Sequence, residues 1–213
     1  RISAKSARKL LISQENAGQC APKILGRIGI TEGNRQTMSL GMTMSQFTNV
    51  NRYRPNKELW NSVARKGEQP DDYIQKELAG EAHIGETPYD MISEVSAHAT
   101  KALRLMEEVM KEEGEGTEEL NRLYTDAAAV YEMSISYCKK LEGAMEILKY
   151  KYTMDKKCKG DVALLENAAA LMQDSLHEFR NLAKLTESTY LYANSMQTPQ
   201  RKIPFPNGET FGH

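Results

Sequence analysis

Apolar or small residues recur at alternating spacings of three and four across the C-terminal half of the chain, a period that leaves few options besides long packed helices. From Val162 the series runs Leu165, Ala169, Met172, Leu176, Phe179, Ala183, Thr186, Tyr190 and Ala193. It predicts one helix over 160–196, roughly nine turns at 3.6 residues each, with that series as its buried seam. Upstream, Leu120, Leu123, Ala127, Val130, Ser134, Tyr137, Leu141, Ala144 and Leu148 repeat the pattern beside a second row of Tyr124, Tyr131, Cys138, Met145 and Tyr152. A two-row stripe belongs to a helix with more than one neighbour, here over 117–154. Earlier still, Thr87-Pro88-Tyr89-Asp90 supplies a cap, a first-turn proline and an acid at the third helical position, the N-terminal signature of a helix over 87–113. Its buried face would be Ile92, Val95, Ala99, Ala102, Met106 and Val109. The breakers between these helices are short, so the fold class expected is mainly α, an antiparallel up-down-up bundle of three long helices.

The first 86 residues carry Gly18, Gly26, Gly29, Gly33 and Gly41, with Pro22, Pro55 and Pro70 as boundary markers, and predict only additional short helices and irregular loops packed on the bundle. Met38, Leu40, Met42 and Met44 alternate as a strand would, yet a helix begun at Thr31 fits them with Phe47 and is preferred. The segment 52–85, with Trp60, reads as a long excursion carrying one or two short helices. The domain reading is 1–86 as this packed-on region, 87–198 as the long-helix bundle and 199–213 as an extended, truncated tail. The whole is expected to be one structural unit cut from a longer chain, because it starts at Arg1 and stops after turn residues.

Charge decides what the chain does not do. Twenty-eight basic residues stand against 29 acidic ones, so there is no strong positive field and no nucleic-acid partner is expected. Apolar runs of a few residues fall far short of the roughly 20 that cross a bilayer. Cys20, Cys138 and Cys158 form an odd set without metal-ligand spacing, leaving their redox state open. The carboxylate–imidazole pairs Asp174/His177 and Glu94/His98 fit surface bonds better than ligands of a metal. No metal and no cofactor are expected: the glycines lack a P-loop ending and no nucleophile elbow is present.

Two stretches are polar and aromatic beyond what packing demands. In Gly80–Thr87, His83 and Glu86 stand before a helix N-terminus with free N–H groups and could meet a ligand hydroxyl; capping is the competing account of Glu86. From Thr189 to Arg201, Tyr192, Asn194, Gln197 and Arg201 are side chains suited to sugars, aromatic faces covering a ring and amides bridging hydroxyls. The competing account is a helix end tied down by its own polar groups. Glu15-Asn16 and Gly33-Asn34-Arg35-Gln36 suggest a loop network burying Arg35 against Glu15.

These stretches together, with Cys20-Ala21-Pro22-Lys23 and Tyr190–Gln197, resemble the helical C-terminal region of large bacterial polysaccharide-processing proteins of the glycoside-hydrolase type. The resemblance covers nearly the whole chain and includes no catalytic signature. It implies a glycoside-hydrolase parent chain with catalysis in a separate barrel, export to the periplasm or cell surface, and a module that contributes to or supports a glycan site. Its partner would be a glycan or the missing part of its own chain. The other reading is a structural or protein-interaction bundle with no ligand of its own. Convergence of 80–87 and 190–201 on one pocket would favour the first, and placement at opposite ends the second.

Overall fold

A computed structural model describes residues 2–28, 43–49, 65–114, 117–154, 160–190, 192–194 and 202–204. The described helices are α1 (Ala4–Arg27), α2 (Met44–Phe47), α3 (Pro70–Ala79), α4 (Pro88–Glu113), α5 (Glu118–Thr153) and α6 (Val162–Thr189). Two three-residue strands, β1 (Tyr192–Asn194) and β2 (Lys202–Pro204), pair antiparallel with Tyr192 opposite Pro204 and Asn194 opposite Lys202.

The mainly α class holds, and the capping chemistry sets the helix starts. Thr87 and Asp90 form the full reciprocal capping box at α4. Thr117 caps α5 through the Leu120 N–H, and Asp161 caps α6 through the Ala163 N–H at 3.0 Å. Each such cap satisfies donors that a helix start leaves open, worth about 1 kcal/mol.

The long helices pack in the order α1, α4, α5, α6, each against the next. Contacts down the α1–α4 seam show the two running antiparallel. Lys9 meets Glu112 at 2.8 Å, the Ser13 hydroxyl donates to the Ala102 carbonyl at 2.7 Å, Asn16 bonds His98 at 2.9 Å, and Lys23 pairs with Glu94. The main core gathers Cys20, Ile24 and Ile28 from α1 and its end, Ile92, Val95 and Ala99 from α4, and Tyr137, Leu141, Ala144 and Leu148 from α5. Every residue of the expected α4 face is buried.

Three expectations need correction. The N-terminal region is not confined to short helices: α1 runs 24 residues, straight through Pro22. A proline inside a helix costs about 3 kcal/mol, and the complete burial of Cys20, Ile24 and Ile28 outweighs it. The last helix ends at Thr189 rather than 196, because Tyr190 turns extended (φ −107°, ψ 101°) and the chain pairs as β1 instead. Finally, the seam assigned to α6 faces α5 only in part, with Met172 packed at Gly143. Ala168 and Ser175 are the positions buried against α5, whereas Val162, Leu165, Leu176 and Phe179 are exposed. The inner face carries small residues where α5 approaches closely; a Cβ on Gly143 would lie 3.4 Å from the Ala168 carbonyl. Ser136 and Ser175 bridge the same seam reciprocally, each hydroxyl donating to the other's carbonyl at 2.8 and 2.7 Å.

The helix begun at Thr31 and the alternating methionines up to Met42 lie outside the described residues; Met44–Phe47 is helical. Arg35 is also outside them, while Glu15 is exposed and Asn16 bonds His98.

Candidate functional site

A densely wired polar cluster lies where the strap 65–69 crosses the loop before α4. The Glu68 N–H donates to the Glu86 carbonyl and the Glu86 N–H to the Lys66 carbonyl, both at 3.0 Å. This crossing requires glycine twice. Gly85 sits at φ +73°, where a side chain is strained, and a Cβ at Gly67 would collide with the Glu86 carbonyl and the Arg27 guanidinium.

Glu68 is buried and accepts from three sides: Lys76 Nζ at 2.8 Å, His83 Nδ1 at 2.8 Å and the Ile84 N–H at 2.7 Å. Burial alone would raise its carboxyl, but the Lys76, His83 and Ile84 bonds outweigh that and hold it below the usual glutamate range. The His83 ring also stacks on Tyr73, centroids 4.2 Å apart, and Tyr73 meets Tyr89 edge-on at 5.3 Å. Burial, then the Glu146 carboxylate, push the Tyr89 phenol up to about 12. His83 is thus held by a buried carboxylate at one nitrogen and by an aromatic face, while its side chain keeps 31% exposure. A ring fixed in this way can present its second nitrogen to a ligand without paying rotamer entropy. Beside it, a shallow recess of about 370 Å³ is lined by Glu68, Asp72, Gln75, Lys76 and Glu81 among others.

Glu86 is committed elsewhere. Its Oε2 takes Arg27 Nε at 2.8 Å and Nη2 at 2.6 Å, and Arg27 is completely buried. Of the two residues singled out in this loop, His83 faces outward and Glu86 faces inward as a counter-ion. Thr87 caps α4, as the Thr87-Pro88-Tyr89-Asp90 signature predicts.

Tyr192 and Asn194 lie on β1, and Gln197 and Arg201 are outside the described residues, as are the side chains of the first two. Tyr190, just before them, donates its hydroxyl to Asp126. Tyr190 and the 80–87 loop do not converge, and 195–201 lie outside the described residues. Tyr190 sits beside Asp126 and Tyr89 beside Glu146, about twenty residues or about 30 Å apart along α5. They occupy opposite ends of the bundle. Neither Asp174/His177 nor Glu94/His98 forms a ligand set: the former two are exposed, Glu94 pairs with Lys23 and His98 with Asn16. Among the described residues no group of three metal-ligating side chains assembles, and no helix is long and apolar enough to cross a membrane.

Sequence reasoning missed Arg27, Glu68, Tyr73 and Lys76. Glu68 precedes a proline-started helix and Lys76 lies in its last turn, in a segment without periodicity, so no spacing pointed to them.

Comparison with solved structures gives this arrangement a relative. The chain is similar to a GH138 enzyme targeting pectin rhamnogalacturonan II. The two share 38% sequence identity at a TM-score of 0.80, over 97% of this chain. The match spans 29% of that enzyme's length. The described region is therefore related to a helical part of a glycoside hydrolase. No protein-family model and no curated protein matches the chain.

Proposed function

We propose that this chain is an accessory helical module of a carbohydrate-active protein of the glycoside-hydrolase type, supporting a glycan-binding or glycosidase site. The observation that carries the proposal is the likeness to the GH138 enzyme at 38% identity over 97% of this chain. Glycosidase chemistry needs two carboxyl groups flanking the scissile bond, about 5 to 9.5 Å apart. The two carboxylates at the strap, Glu68 and Glu86, are each occupied by cations of the chain itself. A supporting role suits that geometry, with the reacting carboxylates supplied from outside the module. In this reading His83 is the group of the 80–87 loop available to a sugar, with Tyr192, Asn194, Gln197 and Arg201 as the further candidates. The domain limits follow the same reading, 1–86 packed on the long helices and 199–213 as a tail, and so does export to the periplasm or cell surface.

The test is a thermal-shift screen against pectic and other plant oligosaccharides. Binding to the folded state raises stability by RT ln(1 + [L]/Kd), about 2.7 kcal/mol at a hundredfold excess over Kd. A saturable rise lost in His83→Ala, or in Tyr192→Ala or Arg201→Ala, would assign the sugar contact to that residue. A cooperative melt indifferent to every glycan supports the second reading, a structural bundle, which the distance between Tyr190 and the 80–87 loop favours.

A further inference from the structure

Between the last turns of α1 and the strap lies a recess of about 70 Å³, lined by Gln19, Pro22, Lys23 and Gly26 on the helix and by Arg65 and Glu86 at the strap crossing. We propose that this recess is an anion subsite that takes one carboxylate group. The assignment goes beyond the glycan reading and does not depend on it.

The recess exists because α1 presents no bulk there. Gln19, Pro22, Lys23 and Gly26 recur at the spacing of one helix face. A Cβ added at Gly26 would meet no heavy atom within 4 Å, so the space beyond the glycine is open rather than core. A volume of about 70 Å³ is several times the about 10–15 Å³ that one water needs and well below the about 300–1,000 Å³ of a pocket that encloses a whole ligand. What it admits is a substituent of a few heavy atoms, the remainder of the ligand lying outside.

Charge selects the substituent. The Glu86 carboxylate on the wall is already neutralised, with Arg27 Nε and Nη2 both on its Oε2. Lys23 pairs with Glu94, whose side chain is 48% exposed, and that bond leaves the ammonium with N–H groups to spare. Arg65 is exposed, and its guanidinium has no ion-pair partner among the described residues. With the Arg27–Glu86 and Lys23–Glu94 pairs each summing to zero, the recess is left with one positive charge, that of Arg65. A planar carboxylate accepts at both oxygens and suits an arginine fork beside an ammonium and the Gln19 amide. A cation would be repelled by Arg65, and a neutral group would leave its charge unanswered.

The experiment is an NMR titration of the isotope-labelled chain with sodium acetate at low chloride, followed at the Gln19 side-chain amide and the Arg65 Nε–H. The expected result is a saturable shift at both, with a Kd on the order of 1 mM, weakened by added salt and absent with acetamide, which has the same shape and no charge. Gly26→Leu puts a side chain into the open space with a better helix former, so the variant folds, and it should weaken binding by more than about tenfold. Arg65→Gln removes the uncompensated charge, keeps the backbone carbonyl that accepts from Arg27, and should weaken binding by about tenfold. Glucuronate and N-acetylaspartate amide carry the same group on a sugar and on a protein side chain, and the tighter of the two names its source. No saturable shift up to about 100 mM acetate overturns the proposal. So does equal binding of acetamide, or binding that survives both variants. The glycan screen reads neither outcome, so the two proposals fail separately.

Discussion

Replacing Glu86 by Gln separates its two readings, ligand group and buried counter-ion. The substitution keeps the shape of the side chain and removes the charge that faces Arg27. Arg27 is completely buried, with Nε and Nη2 at 2.8 and 2.6 Å from Glu86 Oε2, and Nη2 also donates to the Arg65 carbonyl at 3.2 Å. Breaking one partner of a buried pair costs about 3–5 kcal/mol, mostly because a charge is left without compensation. The Glu86 side chain keeps 18% exposure, and the Arg65 carbonyl and Gln amide remain as acceptors, which places the expected loss at the lower end, about 3 kcal/mol. For a chain of this size that is a fall of about 6–12 °C in Tm. Urea unfolding followed by circular dichroism reads it directly, as a lower midpoint with an unchanged slope. The double variant Arg27→Met/Glu86→Leu removes both charges and should recover most of the loss. If Glu86→Gln changes stability by less than about 0.5 kcal/mol, as an exposed ligand group would, the counter-ion assignment is wrong.

Three further outcomes are expected. Burial and the nearby Glu178 carboxylate push Glu132, on the α5 side of the α5–α6 seam, up to about 7; its folded form therefore holds a proton that the unfolded chain releases from about pH 4.5 upward. The stability it contributes is full below that pH and is lost as pH rises through 7, about 1–2 kcal/mol after allowance for solvent screening. Glu132→Gln should flatten that part of the pH–stability profile, and an unaltered slope between pH 5 and 8 would refute it. Ser175→Ala removes the donor to the Ser136 carbonyl at 2.7 Å and should cost about 1–2 kcal/mol in urea unfolding; no measurable loss would mean that the seam does not depend on this bridge. Gly85→Ala must hold a side chain at φ +73° against the Lys66 carbonyl, an expected loss of about 2–4 kcal/mol in the same assay, and a neutral result would deny the tight crossing of the strap.

Legibility in the sequence followed the cause of each element. Caps and breakers act locally, so Thr87, Asp90 and Thr117 announced their helix starts from three residues away. The α4 face was equally legible because one stripe of large residues has one place to go. On α6 two stripes share the same period. Period alone does not say which meets the protein; the choice falls to Ala168, Ser175 and Gly143, whose smallness lets two backbones approach. The strap was illegible for a different reason. Arg27 and Glu86 are 59 positions apart, and Glu68 finds His83 across a turn of the chain, so their pairing exists only once α1, α3 and α4 are in place. His83 stood out by composition, whereas the carboxylate that orients it did not.

Neither core cluster draws a residue from α6. Its amide protons should therefore exchange through an opening that leaves α1, α4 and α5 intact, at a free energy well below that of global unfolding. The last helix then comes away ahead of α1, α4 and α5, and its seam with α5 governs how often that happens.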